Sequence, residues 1–336
     1  MDAAVVAGLV PEAHAGAHLL ALPRSRATAR VPLDALARAW FPDAAWTTAP
    51  GGGGPARPMA GARFRGVVPD DAVRPGELHL AEGVRAVGPF PLSGPQTQAL
   101  DLASGAAEAF ALVLDAPAPR GAPTAVPDDR DGLARAFAGG LPTGAELQTV
   151  AWAVAAARRT GGAVVVDGTT VLTPDPTSGV DLVLFTAQVL TPEEGLGVLR
   201  TVVPSAVVTE HHPRHDGPAA FAASGDTPYD GAVRLAMQRV PEVPLALGGL
   251  DWREYGPYAY RLSWGPADPY ELELERPSGL HVIARGRARV LVARLAAVLH
   301  GRVGGTLVDD GGFVVRDLDL DERLTPATAP TTHFWV

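Results

Sequence analysis

The segment Thr209-Glu-His-His-Pro-Arg-His-Asp216 gathers three of the nine histidines, His211, His212 and His215, beside Glu210 and Asp216. Imidazole nitrogens and carboxylate oxygens are ligands for zinc or iron. A divalent metal held there could activate water, so His211, His212, His215 and Asp216 carry a metal-dependent hydrolase reading. The spacing speaks against it. A helical metalloprotease pair needs two histidines one turn apart, and Pro213 breaks the helix that would place them. The sequence therefore predicts a polar, histidine-rich loop, and the expected cofactor is none.

A second group could recognise rather than react. Four of the five tyrosines lie between positions 255 and 270, with Trp252 and Trp264 close by. Trp252, Tyr255, Tyr258, Tyr260 and Trp264 are the candidate binding surface, because aromatic side chains dominate interface energetics. In Tyr258-Ala-Tyr-Arg-Leu-Ser-Trp264 the aromatic residues and Leu262 share one face of a strand, and Glu271, Glu273 and Glu275 alternate with Leu272 and Leu274 in the next. The pattern predicts an antiparallel hairpin. Leucines on the aromatic face favour core over exposed surface.

Composition removes several chemistries. The chain has no Lys and no Cys, and all 28 basic residues are Arg, a usage that fits a GC-rich bacterium. A phosphate-binding P-loop and a Schiff base both need Lys, and thiol catalysis, disulfides and Cys-zinc sites need Cys. A net charge of −9 disfavours nucleic acid as partner. The first residues lack the basic start of a secretory signal, and no apolar run reaches the length of a membrane span. A cytoplasmic protein is expected.

The elements that must position these residues repeat. Residues 147–172 and 290–315 align without a gap at a constant offset of 143, matching at Ala153, Arg159, Gly161, Gly162, Val165, Asp167, Gly168 and Val171. Each copy reads as a helix, a double glycine, a short apolar strand and an Asp-Gly turn. Gly161 and Gly304 are placed as left-handed helix caps. Upstream, segments starting at His18 and Asp181 share a strand followed by a Pro-initiated helix at Pro32 and Pro192. Thr143–Glu146 and Thr191–Glu194 fit the capping box, and Thr227–Asp230 a related form. Arg285, Arg287, Arg289 and Arg294 read as a solvated helix face, and Asp317–Asp321 as an edge strand.

The resulting expectation is an α+β protein made of two tandem copies of a ferredoxin-like α/β sandwich. The first copy spans 1–176, with a Gly/Pro-rich insert near 48–60, and the second 177–336, with an apolar C-terminal tail. No nucleophile–base set accompanies this plan. The expected function is a non-catalytic binding or protein-interaction module, its protein or small-ligand partner unspecified, a monomer (pseudo-dimer) in preference to a homodimer, with the metal-dependent hydrolase as the alternative.

Overall fold

The computed structural model describes residues 8–24, 32–51, 74–103, 105–121, 129–212, 220–272, 274 and 277–325. The chain is α+β and divides into two compact units, one of Met1–Ala125 and Asp131–Pro174, the other of Val126–Arg130 and Asp175–Val336. Among the described residues, no helix is long and apolar enough to cross a membrane.

The first unit is a seven-stranded sheet built from β1 (His18–Pro23), β2 (Ala45–Thr48), β3 (Gly76–Ala81), β4 (Val84–Leu92), β5 (Ala107–Leu114), β6 (Ala163–Val166) and β7 (Thr170–Leu172), in the order β2-β3-β4-β5-β1-β6-β7. Its helices are α1 (Leu33–Arg38), α2 (Gly94–Ala99), α3 (Leu133–Ala136) and α4 (Gly144–Thr160). The second unit holds β8 (Leu182–Thr186), β9 (Val207–His212), β10 (Ala220–Thr227), β11 (Gly231–Arg239), β12 (Tyr258–Gly265), β13 (Thr306–Asp309) and β14 (Val314–Val315), with α5 (Pro192–Arg200), α6 (Gly279–Val303) and α7 (Asp317–Leu324). Its order is β14-β13-β8-β12-β11-β10-β9, which is the order of the first sheet when counted from its own first strand and read from the other edge. Every described pairing in both sheets is antiparallel.

Strand alternation gives each sheet two different faces. In the first unit the face of Leu20 and Leu22 meets the helices: α4 carries the fully buried Trp152, whose Nε1 donates to the Leu36 carbonyl of α1 at 3.0 Å and whose ring meets Phe41 edge-on at 5.7 Å. The opposite face, with Leu19 and Ala21, is sealed by Phe90, Leu92, Leu100 and Leu102 around α2. In the second unit Leu182, Leu184, Tyr260 and Leu262 pack under α5 and α6, against Val198, Leu199 and Leu295. On its back face Phe185, Ala259 and Val308 lie under Leu247 from the segment joining β11 to β12.

The double glycine does the same work twice. Gly161 caps α4 in the left-handed region, with φ 68° and ψ 32°. Gly304 also has positive φ, 61°, but with an extended ψ of −166°, so the left-handed cap expected there is replaced by a sharper exit from α6. The second glycine permits a close approach: a Cβ on Gly162 would run into the Ala21 carbonyl of β1, and one on Gly305 into the Phe185 carbonyl of β8. After β6, Asp167 and Gly168 both take positive φ, 49° and 64°, as a two-residue hairpin turn requires.

Several local expectations are corrected. The hairpin partner expected at Glu271 and Leu272 is a 3-10 turn, Pro269–Leu272, and β12 is instead flanked by β8 and β11; Glu273 and Glu275 lie outside the described residues. The partner on that side is β11, which matches β12 over its full length. Asp317–Asp321 is part of α7, because Leu320 and Arg323, three residues apart, are buried together on one helical face. Thr227–Asp230 is the β10–β11 hairpin turn, its Thr227 hydroxyl donating to the Gly231 carbonyl at 2.7 Å. The Arg row at the start of α6 is not uniformly solvated, since Arg285 is buried against Asp175. The helix begins at Gly279, well before the repeated segment.

Candidate functional site

Of the predicted metal ligands, His211 and His212 are among the described residues. His211 and His212 end β9, the exposed edge of the second sheet, so the segment expected as a loop starts as a strand. Neighbouring residues on a strand point to opposite faces, which separates the two imidazoles. His212 Nε2 lies 3.8 Å from Glu210, whose carboxylate is already bound by Arg234 at 2.7 Å. His215 and Asp216 lie outside the described residues.

The aromatic candidates are likewise divided. Tyr260 is fully buried, its hydroxyl accepting from the Leu190 N–H at 2.7 Å and pushed up to about 12, first of all by burial. Tyr258 and Trp264 pack on the same core, with Trp264 Nε1 donating to the Asp230 carbonyl. Tyr255 belongs to the cluster on the back face and Trp252 is exposed. Four of these residues thus pack in two clusters on opposite faces of the sheet, and Trp252 stands in solvent.

A cluster that sequence reasoning missed sits in the first unit. His18 at the start of β1, Glu146 in the first turn of α4 and Asp167 in the β6–β7 turn bring a possible metal-ligand atom each to within 4.8 Å of one another. The Asp167 N–H donates to His18 Nδ1 at 3.1 Å, so His18 Nε2 carries the proton and donates to Glu146 at 3.2 Å. Neither imidazole nitrogen keeps a lone pair for a metal. Arg120 supplies the positive charge instead, bridging Glu146 and Asp167 and lying 5.0 Å from the centre of the Phe137 ring. Burial pushes the Glu146 carboxyl up, but the hydrogen bonds from Arg120, the Ala118 N–H and His18 outweigh it and hold it below the usual range. Thus Glu146, three residues after Thr143, is not part of a capping box: Thr143 turns away to the Pro119 carbonyl, and the acid is drawn into the cluster. At Thr191 and Glu194 the reciprocal box does form. The available sequence signal was the offset of 143, which sets Arg289 in the position of Glu146.

The open site is on the back face of the second sheet, where a groove of about 710 Å³ runs over β8, β11, β12 and β13. One row across that sheet reads Ala236, Arg261, Val183, Val308. The row at the same place in the first sheet reads Val87, Ala111, Leu19, Val165. The next rows are Gln238, Ala259, Phe185, Thr306 against Phe90, Ala109, Ala21, Ala163. Where Phe90 and Val87 stand on the first face, the second has the polar Gln238 and the smaller Ala236; Leu247 covers Phe185, Ala259 and Val308, and the groove opens beside them. The wall on one side is Val240, Glu242, Val243 and Pro244. At the end of β8, Asp181 accepts from the Trp264 N–H at 3.0 Å, and its carboxyl is pushed up to about 6, first of all by burial.

These side chains can bind, by apolar contact flanked by charge. Compared with protein-family models, curated proteins and solved structures, the chain has no match.

Proposed function

We propose that the chain is a non-catalytic binding protein formed by duplication of one α+β unit, in which the second copy holds the ligand and the first has become scaffold. The carrying observation is the groove on the back face of β8, β11 and β12, at the rows where the first sheet is closed by Phe90 and Val87. Its volume is that of sites for small organic molecules. The duplication is supported by the shared strand order, by the paired glycine approaches at Gly162 and Gly305 and by the equivalent rows. The ferredoxin-like description is kept for the strand-helix opening and helix-strand closing alone. In that sandwich the split βαβ implies a parallel neighbour for the first strand, whereas β1 and β8 each lie between antiparallel ones. A metal-dependent hydrolase draws no support from the alternating side chains of β9. We take the chain as a monomer, with a small molecule rather than a protein as ligand.

Fluorescence titration with N-phenyl-1-naphthylamine, a neutral apolar probe that brightens on leaving water, tests the site. Saturable binding is expected, with one site per chain, and Ala236→Trp, which fills the floor, should weaken it about tenfold or more. An unsaturable signal, or equal affinity in a folded Ala236→Trp variant, would overturn the assignment.

A further inference from the structure

We infer that the ligand of this groove joins an anionic head group to an apolar body, the head group being held by Arg261; this rests on the binding function proposed above. Five charged side chains line the groove: Arg234, Glu242, Arg261, Asp309 and Asp310. Three are already neutralised. Arg234 bonds Glu210 at 2.7 Å, and Asp310 pairs with Arg130 at 3.4 Å. Asp309 accepts the N–H groups of Gly311 and Phe313 and lies 3.7 Å from Arg323. Among the described residues, Arg261 and Glu242 have no hydrogen bond or ion pair.

Their positions differ. Both are exposed, Glu242 on the wall segment between β11 and β12 and Arg261 on the sheet itself. Arg261 rises from the floor, in register with Ala236 on one side and with Val183 and Val308 on the other. A cation in one row with Ala236, Val183 and Val308, where the first sheet has Ala111, contributes nothing to closing that face. Asp181 bears on it electrostatically, yet the Asp181 carboxylate is bound to the Trp264 N–H, and no ion pair forms with Arg261. A guanidinium offers a planar pair of donors that matches carboxylate, sulfonate or phosphate oxygens, and its weak hydration suits partial enclosure. The flanking Val183, Val243 and Val308 supply the surface for an apolar body. Charge and lining thus select an amphipathic anion over a neutral or cationic molecule.

Two naphthylamine probes that differ mainly in charge separate the possibilities: the anionic 8-anilinonaphthalene-1-sulfonate and the neutral N-phenyl-1-naphthylamine. Each is titrated into the full chain, into Arg261→Gln and into Glu242→Gln, with thermal melts confirming that the variants fold. The parent should bind the sulfonate about tenfold more tightly than the neutral probe. Arg261→Gln should abolish that preference while leaving the neutral probe unchanged, and Glu242→Gln should retain or increase it. An unchanged preference in Arg261→Gln, a stronger affinity for the neutral probe in the parent, or a loss of preference in Glu242→Gln would overturn the anion assignment while leaving the groove as a binding site. Failure of both probes to bind would remove the binding function itself.

Discussion

The two sheets share a strand order and differ in what covers their back faces. In the first, Phe90, Leu92, Leu100 and Leu102 close over Leu19 and Ala21 and leave a second core. In the second, the segment after β11 covers Phe185, Ala259 and Val308 and stops short of Arg261. Along matching rows Val87 stands against Ala236, Phe90 against Gln238 and Ala111 against Arg261, where a packed face gives way to an open polar one. The helix side shows the reverse division. The first unit spends an acid, Glu146, on a closed network with His18, Arg120 and Asp167. The second sets Arg289 at the equivalent place, where burial lowers its pKa, the neighbouring Arg323 lowers it further, and its Nε has no partner. A common architecture therefore tolerates a sealed face and an open face because the ladder hydrogen bonds do not depend on which side chains cover them.

The helix-side contrast should give the largest effects. Glu146→Ala removes the acid from a buried pair and leaves His18 and Arg120 uncompensated, so unfolding in denaturant should show a loss of about 3–5 kcal/mol. Arg289→Gln removes a desolvated cation with no hydrogen bond and should be neutral or stabilising. A destabilisation by Arg289→Gln comparable to that of Glu146→Ala would erase the contrast.

Next come the glycine approaches. Gly162→Ala and Gly305→Ala should each cost about 2 kcal/mol, since an added Cβ meets a strand carbonyl in both units. Equal melting temperatures for parent and variants would show that the helix-to-strand turn has slack.

Acids in the two units should respond oppositely to pH. Glu146 is held below its usual range, so its contribution is present above the unfolded value near 4.5 and is lost as pH falls through the lower folded value. Asp181 is raised from 3.8 to about 6, so the folded state takes up a proton first and this group's contribution improves as pH falls from about 6 to about 4. Asp181→Asn should therefore stabilise at pH 7 by about 1–3 kcal/mol and flatten that acid-side gain. No change in the pH profile of melting would contradict it. The smallest effect is expected from Arg261→Gln, an exposed change that should alter stability by less than about 0.5 kcal/mol.

Much of this plan was legible in the chain. The left-handed cap at Gly161, the strand after it and the Asp167-Gly168 turn are local signals with local causes, and so is the Thr191–Glu194 box; in the second unit Gly304 has an extended ψ and the positive φ of the turn falls on Gly312. Elements with two competing readings were not legible. Glu271 and Leu272 open an alternation that a strand would also show, yet Pro269–Leu272 is a 3-10 turn and β12 takes β11 as its full-length partner. Asp317–Asp321 also alternates, and only the burial of Leu320 and Arg323 reveals its helical period. Glu146 satisfied a capping pattern while its partners His18 and Arg120 lay 128 and 26 residues away. The groove depends on the register of four strands, which no single segment encodes.

Hydrogen–deuterium exchange of the full chain, with and without saturating 8-anilinonaphthalene-1-sulfonate, tests the division between a sealed first sheet and a binding second sheet most directly. Slowed exchange is expected in β8, β11, β12 and the segment 240–244, with the strands of the first unit unchanged. Protection centred on β4 and β5 around Val87 and Ala111, or no protection in either sheet, would contradict it.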